Sequence, residues 1–421
     1  MPASPSTARA LNDRAALRLM QQEGPLTAGQ LKQLTGLSRP TVADLVERLT
    51  AAGLITVVGE SGEQRRGPNA RLYGIVANRA HLAALDVRTE GVSVLVSDLL
   101  GGVLAEASVP IAGDTGTGTA VEQVVALVER AAKEAGAGSL HTVGIGAPGL
   151  IDPATGELRN STGLPEWHRR LAAALQERLP ARVMVENETN LAALAEQREG
   201  AARDRDTFVL LWLGHGTGAA VVLDGALRRG ASGGTGEIGF LPVPGTRSLP
   251  SATDCEGGFH SLAAAAAIAE LALEHGLSTE GTGPEPPAAG LVRRAVAAVS
   301  PARTGSATGD GAEATGVREA GGGSFGAGPA SRFLDALADR LAIGAASVTA
   351  VLDPGCVVLG GEIGQAGGEV LAARVAERLT RMSPLPTEVR ASVLGGGAVL
   401  RGALLTARDG AQDELFAPPS R

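Results

Sequence analysis

Cysteine is almost missing from this chain: Cys255 and Cys356 are its whole complement in 421 residues, too few for a disulfide framework. Long apolar runs are missing as well. No stretch reaches the ~18 uninterrupted apolar residues that a membrane span needs, and the segment from Met1 to Leu17 lacks the apolar core of a secretion signal. The expectation is a soluble, cytoplasmic protein with no membrane partner. Lysine is limited to Lys32 and Lys133, a bias toward arginine with no chemical meaning of its own. Nor is there an overall basic charge. The net value of -8 argues against a protein that coats nucleic acid along its whole surface.

What is present is an apolar content of 44%, enough for two or three structural units with a sizeable core. The charge is unevenly placed. Residues 1–75 carry +3 and the remaining 346 residues carry -11, so a mildly basic head precedes an acidic body, a distribution that fits local DNA contact.

Within that head, a first helix is predicted over Ala8–Gln22, stopped by Gly24-Pro25. Thr27-Ala-Gly-Gln30 has the form of a capping box for a second helix, with Leu31 and Leu34 facing inward and Gly36 at its end. Ser38 can cap a third helix, where Val42, Leu45, Val46 and Leu49 follow the spacing of one buried face. The pattern reads as helix, four-residue turn, helix. It leaves Ser38, Arg39, Thr41 and Asp44 at the exposed start of a recognition helix. Two strands, Ile55–Val58 and Arg71–Ile75, then enclose a polar loop holding Arg65 and Arg66, in the manner of a wing that grips phosphate or enters a minor groove. A protein-docking module of three helices and a hairpin is the alternative reading, in which Arg65 and Arg66 are solvated loop charges.

From Ala83 the pattern becomes α/β: strands at Ala83–Asp86, Val92–Ser97 and Val103–Ser108, a helix over Thr119–Ala135, and a strand at Thr142–Ile145. A further helix is expected over Asn190–Ala201, with a strand at Thr207–Leu213. Residues 278–330 are rich in Gly, Ala, Pro and Thr. They are expected to be a low-complexity surface insertion with one short helix near Leu291–Val299, before a helix at Arg332–Leu352.

Several ordered motifs carry a resemblance: Val143-Gly-Ile-Gly-Ala-Pro-Gly149, Asn160-Ser161 with Leu164-Pro165 and Trp167, Glu186-Asn187, Gly236-Glu237-Ile238-Gly239, Asp353-Pro354 and Val358-Leu-Gly-Gly361. Together they resemble the ROK family of repressors and sugar kinases, in its winged-helix regulator branch. The resemblance implies a winged helix-turn-helix over residues 1–80. Residues 81–421 would then form a two-lobed, actin-like (ribonuclease H-like) sensor domain, with sugar bound between the lobes. It also implies sugar contacts at Asn160, Asn187, Glu188 and Glu237. Glu188 stands where the family's kinases place an aspartate base, and its extra methylene displaces the carboxylate by more than ~1 Å, which spoils positioned base catalysis. Without a ligand, Glu188 reads as a charge stabilising the start of a helix.

The departures point the same way. The family's first phosphate loop, Asp-x-Gly-Gly-Thr, reads Asp86-Val87-Arg88-Thr89 here. In the second, Leu213-Gly-His-Gly-Thr-Gly218, His215 replaces the usual threonine. Close approach of backbone to phosphate needs the glycines that Arg88 displaces. The family's zinc site has Phe240 in place of its histidine, and Asp254-Cys255-Glu256-Gly-Gly-Phe-His260 in place of its three cysteines. That set lacks the tetrahedral donors, and Phe240 is expected to pack where the metal would sit. No nucleotide and no zinc are therefore expected. The expected function is that of a non-enzymic, sugar-sensing regulator, a repressor of carbohydrate-related genes. It would bind an operator in double-stranded DNA as a homodimer or tetramer. An active sugar kinase with a DNA-binding head and a ligand-blind regulator are the rival readings.

Overall fold

The computed structural model describes residues 5–61, 70–159, 164–246, 248–252, 256–278, 286–300 and 327–417. Two compact units emerge. One comprises residues 1–147, 164–186 and 403–421, the other residues 148–163 and 187–402.

The first unit opens with α1 (Pro5–Glu23), β1 (Leu26–Thr27), α2 (Ala28–Thr35), α3 (Arg39–Ala51), β2 (Ile55–Ser61) and β3 (Ala70–Ile75). The capping box forms as expected: the Thr27 hydroxyl accepts from the Gln30 backbone, and the Gln30 side chain accepts from the Thr27 N–H at 2.9 Å. Gly36 ends α2 in the left-handed conformation. The connection to α3 is three residues, 36–38, one fewer than expected. Val42, Leu45, Val46 and Leu49 are all buried. Leu34 is not. It is 50% exposed, and only Leu31 of this eight-residue helix is buried. The strands pair in the order β1-β3-β2, antiparallel throughout, completing a winged helix-turn-helix.

A five-stranded sheet follows. It uses β4 (His81–Arg88), β5 (Gly91–Asp98), β6 (Val103–Pro110), β7 (Thr142–Ala147) and β8 (Arg182–Asn187), in the order β6-β5-β4-β7-β8. β4, β5 and β6 form an antiparallel meander, and β7 returns parallel to β4 through α4 (Thr117–Glu134). The buried stripe of α4, including Val121, Val124, Val125 and Val128, covers the sheet together with Trp167, Leu171 and Leu175 of α5 (Glu166–Arg178). Gly144 of β7 is demanded by packing, since a Cβ there would stand 2.4 Å from the Ala403 carbonyl oxygen.

The second unit repeats the sheet plan. Its elements are α6 (Glu188–Glu199), β9 (Phe208–Leu213), β10 (Thr217–Leu223), β11 (Ala226–Arg228), α7 (His260–Ala263), α8 (Ala265–Glu274), α9 (Pro287–Val299), α10 (Ala327–Leu352), β12 (Cys356–Gly360), α11 (Gly361–Met382) and β13 (Glu388–Ala391). The strand order is β11-β10-β9-β12-β13, again a meander joined to a parallel pair. All six residues of β9 are buried, the mark of a central strand covered on both faces. The last helix, α12 (Ala398–Leu415), contributes its residues from 403 onward to the first unit. Two copies of one α/β plan are the actin-like architecture expected from the sequence.

The segment 278–330 departs from expectation at its centre. α9 begins earlier than the short helix foreseen and buries Ala288, Ala289, Leu291, Val292 and Ala295 in the core of the second unit. Small side chains allow this close packing, so low complexity did not mean low burial. Residues 279–285 and 301–326 of that segment lie outside the described residues.

Candidate functional site

In the head, the Ser38 hydroxyl caps α3 by accepting from Thr41 N–H at 3.3 Å and lies 2.8 Å from the Thr41 hydroxyl. Ser38 and Arg39 are exposed and Thr41 is half-buried, so three expected DNA contacts fall in one helical turn. Asp44 is held by Arg48, whose guanidinium also bonds Asp13 of α1 at 2.6 Å. Arg48 thus links Asp44 of its own helix to Asp13 of α1, and the Arg48–Asp13 pair braces the two helices. Arg65 and Arg66 lie outside the described residues.

At the end of β4, the Arg88 guanidinium folds back on Asp86, with Nε to Oδ1 at 2.8 Å and Nη2 to Oδ2 at 3.0 Å. Asp86 is buried. The first phosphate loop of a kinase is thus occupied by an intrachain ion pair.

The sugar-type motifs of the second unit converge on the start of α6. Asn187 is its N-cap: Oδ1 accepts from Thr189 N–H at 2.9 Å and Asn190 N–H at 3.3 Å, while Nδ2 donates to the Gly149 carbonyl at 3.0 Å. The side chain ties the Gly-Ala-Pro-Gly149 turn to the helix. Glu188 occupies the first helical position, half-buried, where a negative charge interacts favourably with the helix dipole. Gly218 stands at the junction: a Cβ built there would lie 3.7 Å from the Thr189 hydroxyl and 3.9 Å from the Gly236 carbonyl oxygen. Gly236 itself has φ +90, and a Cβ would collide with the Ala219 carbonyl oxygen at 1.9 Å, so only glycine fits. This turn presents Glu237. Its side chain keeps contact with solvent, yet the protein crowded around it desolvates the carboxyl and raises its pKa. Asn160 lies outside the described residues.

His260, considered from sequence only as a metal ligand, sits against both glycine turns. Its Cε1 is 3.8 Å from a Cβ built at Gly216, and its Nδ1 is 3.8 Å from one built at Gly239. Burial, followed by the neighbouring His215, lowers its pKa. Phe240 does not pack inward as expected. It is 38% exposed, while Phe259 is fully buried with its ring against Gly344. Among the described residues no group of three or more His, Cys, Asp or Glu side chains could hold a metal, and Cys255 lies outside them.

The ROK family model matches residues 82–409, and the chain belongs to the ROK family. The MarR family model matches residues 11–67. Among curated relatives, the DNA-binding transcriptional dual regulator NagC of Escherichia coli (strain K12) is 28% identical over 241 residues, 55% of this chain and 57% of the relative. The xylose repressor of Bacillus subtilis (strain 168) is 23% identical over 238 residues, 55% of this chain and 60% of the relative. The chain thus spans less than two thirds of the length of the relatives it matches. Among solved structures, a ROK family transcriptional regulator described as a homolog of E. coli MLC protein superposes with a TM-score of 0.72 at 19% identity, over 97% of this chain and 98% of that one. A ROK hexokinase from Thermus thermophilus gives 0.58 at 28% identity, over 79% of this chain and 99% of that one. Among the described residues, no helix is long and apolar enough to cross a membrane.

Proposed function

We propose that this protein is a sequence-specific transcriptional regulator, acting as a repressor of carbohydrate-related genes, whose kinase-like domain senses a sugar or sugar derivative without phosphorylating it. Residues 1–80 are the DNA-binding head and residues 81–421 the sensor. The observation that carries the reading is the capped start of α3, where Ser38, Arg39 and Thr41 share one accessible turn. Arg65 and Arg66 add phosphate contacts from the wing. The names of the two relatives, a transcriptional dual regulator and a xylose repressor, support the same class.

Asn160, Asn187, Glu188 and Glu237 are the proposed sugar contacts. Carboxylates and amides suit a ligand made of hydroxyls, and the Asn187 amide also serves the α6 cap and Gly149. The protein acts in the cytoplasm as a homodimer or tetramer on a palindromic operator, with half-sites roughly 34–36 Å apart or at a related multiple. Selection of genomic DNA by the full-length protein at physiological salt tests this. Recovery of a few palindromic sites is expected, and no enrichment over bulk DNA would refute it.

One observation favours a second reading, sugar kinase activity: Glu188 retains a carboxylate at the start of α6, and the glycines Gly214, Gly216 and Gly218 of the second phosphate-type turn are kept. The Arg88–Asp86 pair weighs against it. A coupled assay with ATP and a hexose panel separates the two, and turnover that disappears in Glu188→Gln would establish the kinase.

A further inference from the structure

Where β4, β7 and β8 begin, their first residues or those just before them form a row. His141 N–H donates to the His81 carbonyl at 2.8 Å, and Arg182 N–H donates to the His141 carbonyl at 2.9 Å. This edge opens into a recess of about 530 Å³, within the usual size range of small-molecule sites, roughly 300–1,000 Å³. Arg79 enters it from the turn that follows the last wing strand, Ser139 from the loop before β7, and Glu414 from α12.

The charges here are unbalanced. Elsewhere Arg88, Arg159, Arg374, Arg378, Arg390 and Arg401 each hold a carboxylate. Arg79 and Arg182 form no ion pair with any described residue, although both line the recess. Glu414, the one carboxylate among the lining residues, leaves the two arginines with a net charge of +1. The His141 Nδ1 lies 2.9 Å from the Thr142 hydroxyl. When it accepts that bond, Nε2 carries the ring proton and is a donor.

We infer that this recess binds a phosphorylated small molecule, with Arg79 and Arg182 clasping the phosphate oxygens and Ser139 and His141 donating to them. Two guanidinium forks match phosphate geometry better than a single ammonium would, and charge-assisted hydrogen bonds are the strong ones. Glu414 accepts from a hydroxyl of the ligand at the margin. A concave site lined by the 3-10 turn, the loop before β7 and α12 fits a free molecule better than the convex backbone of a duplex. Its position is also significant. Asn78 and Arg79 belong to the 3-10 turn that joins the winged helix to β4, so an occupant would bear directly on the connection between head and sensor.

Isothermal titration of the full-length protein with inorganic pyrophosphate, in the wild type, Arg79→Gln/Arg182→Gln and Glu414→Gln, tests the assignment. The expected result is saturable binding at one site per chain, weakened at least ~10-fold in the double variant and tightened roughly 3-fold in Glu414→Gln. Circular dichroism shows whether the double variant remains folded, and the opposite sign expected of Glu414→Gln keeps the test decisive if it does not. No saturable binding by the wild type, or affinities that ignore all three substitutions, would overturn the proposal. So would a double variant that loses affinity for duplex DNA while the wild type ignores pyrophosphate, since the recess would then be a contact for the DNA backbone.

Discussion

Arg88 closes on Asp86 across a single intervening residue, both guanidinium contacts falling at 2.8–3.0 Å, with the carboxylate buried and the arginine half-buried. Every second residue of a strand faces the same side, so the pair shares one face of β4, at its exit, where a kinase would use glycine backbone to admit phosphate. Arg88→Ala leaves a buried carboxylate without this partner. The variant is expected to lose about 1–3 kcal/mol of unfolding free energy by denaturant titration. An unchanged midpoint would show that the remaining contacts of Asp86 satisfy it.

Ser38 and Arg39 are adjacent but should fail differently. Ser38→Ala removes the α3 cap and is expected to cost about 1 kcal/mol of stability. Arg39→Ala, exposed at the first helical position, should leave the melting temperature unchanged while weakening binding to selected operator fragments and relaxing their base preference. Electrophoretic mobility shifts alongside thermal melts distinguish the two.

Desolvation raises the Glu237 carboxyl above its ordinary value, so folding disfavours its ionised form relative to the unfolded chain. The stabilising contribution of such a group is present below its unfolded pKa and is lost as pH rises through the folded value. Glu237→Gln should therefore melt higher than the wild type at pH 7, with the difference vanishing below the usual carboxylate range. The same substitution should abolish any stabilisation by sugar, read by thermal shift over a hexose panel.

His168 is fully surrounded on α5, its ring edge-to-face with Trp167 at 4.1 Å, and burial lowers its pKa from 6.5 to about 4. The unfolded chain thus binds a proton between these values that the folded chain refuses. Stability from this residue is complete above pH 6.5 and is lost as pH falls toward 4, by up to about 3 kcal/mol. In His168→Phe this part of the slope should disappear. Chemical denaturation at pH 7 and pH 5 checks it, and parallel slopes in both proteins would reject the assignment.

Local chemistry made much of this legible beforehand. Thr27 with Gln30, Ser38 with Thr41, and the apolar spacing from Val42 to Leu49 depend on atoms within one or two turns, and each appears where the pattern placed it. The strands expected at β4 to β7 and at β9 appear in place with ends moved by one or two residues, whereas β8 and β10 to β13 were not foreseen as strands. Leu34, Phe240 and α9 were read differently because burial depends on what stands opposite. Leu34 has the right spacing but is left half exposed, Phe240 stays at the surface while Phe259 is buried, and α9 found a core that admits its alanines.

The sequence by itself determined the winged head and the replacement of the phosphate glycines by Arg88, since each is written in periodicity, caps or residue identity, while the two-lobed plan followed from the resemblance to the ROK family. Only the tertiary structure decided that Arg88 turns onto Asp86, that Asn187 spends its amide on a cap and on Gly149, that His260 lies between two glycine turns, and that His81, His141 and Arg182 stand in one row. Those relations join residues that chain spacing leaves unrelated, or choose one rotamer among several, and hydrogen-bond geometry and packing make the choice only when the strands and helices have come together.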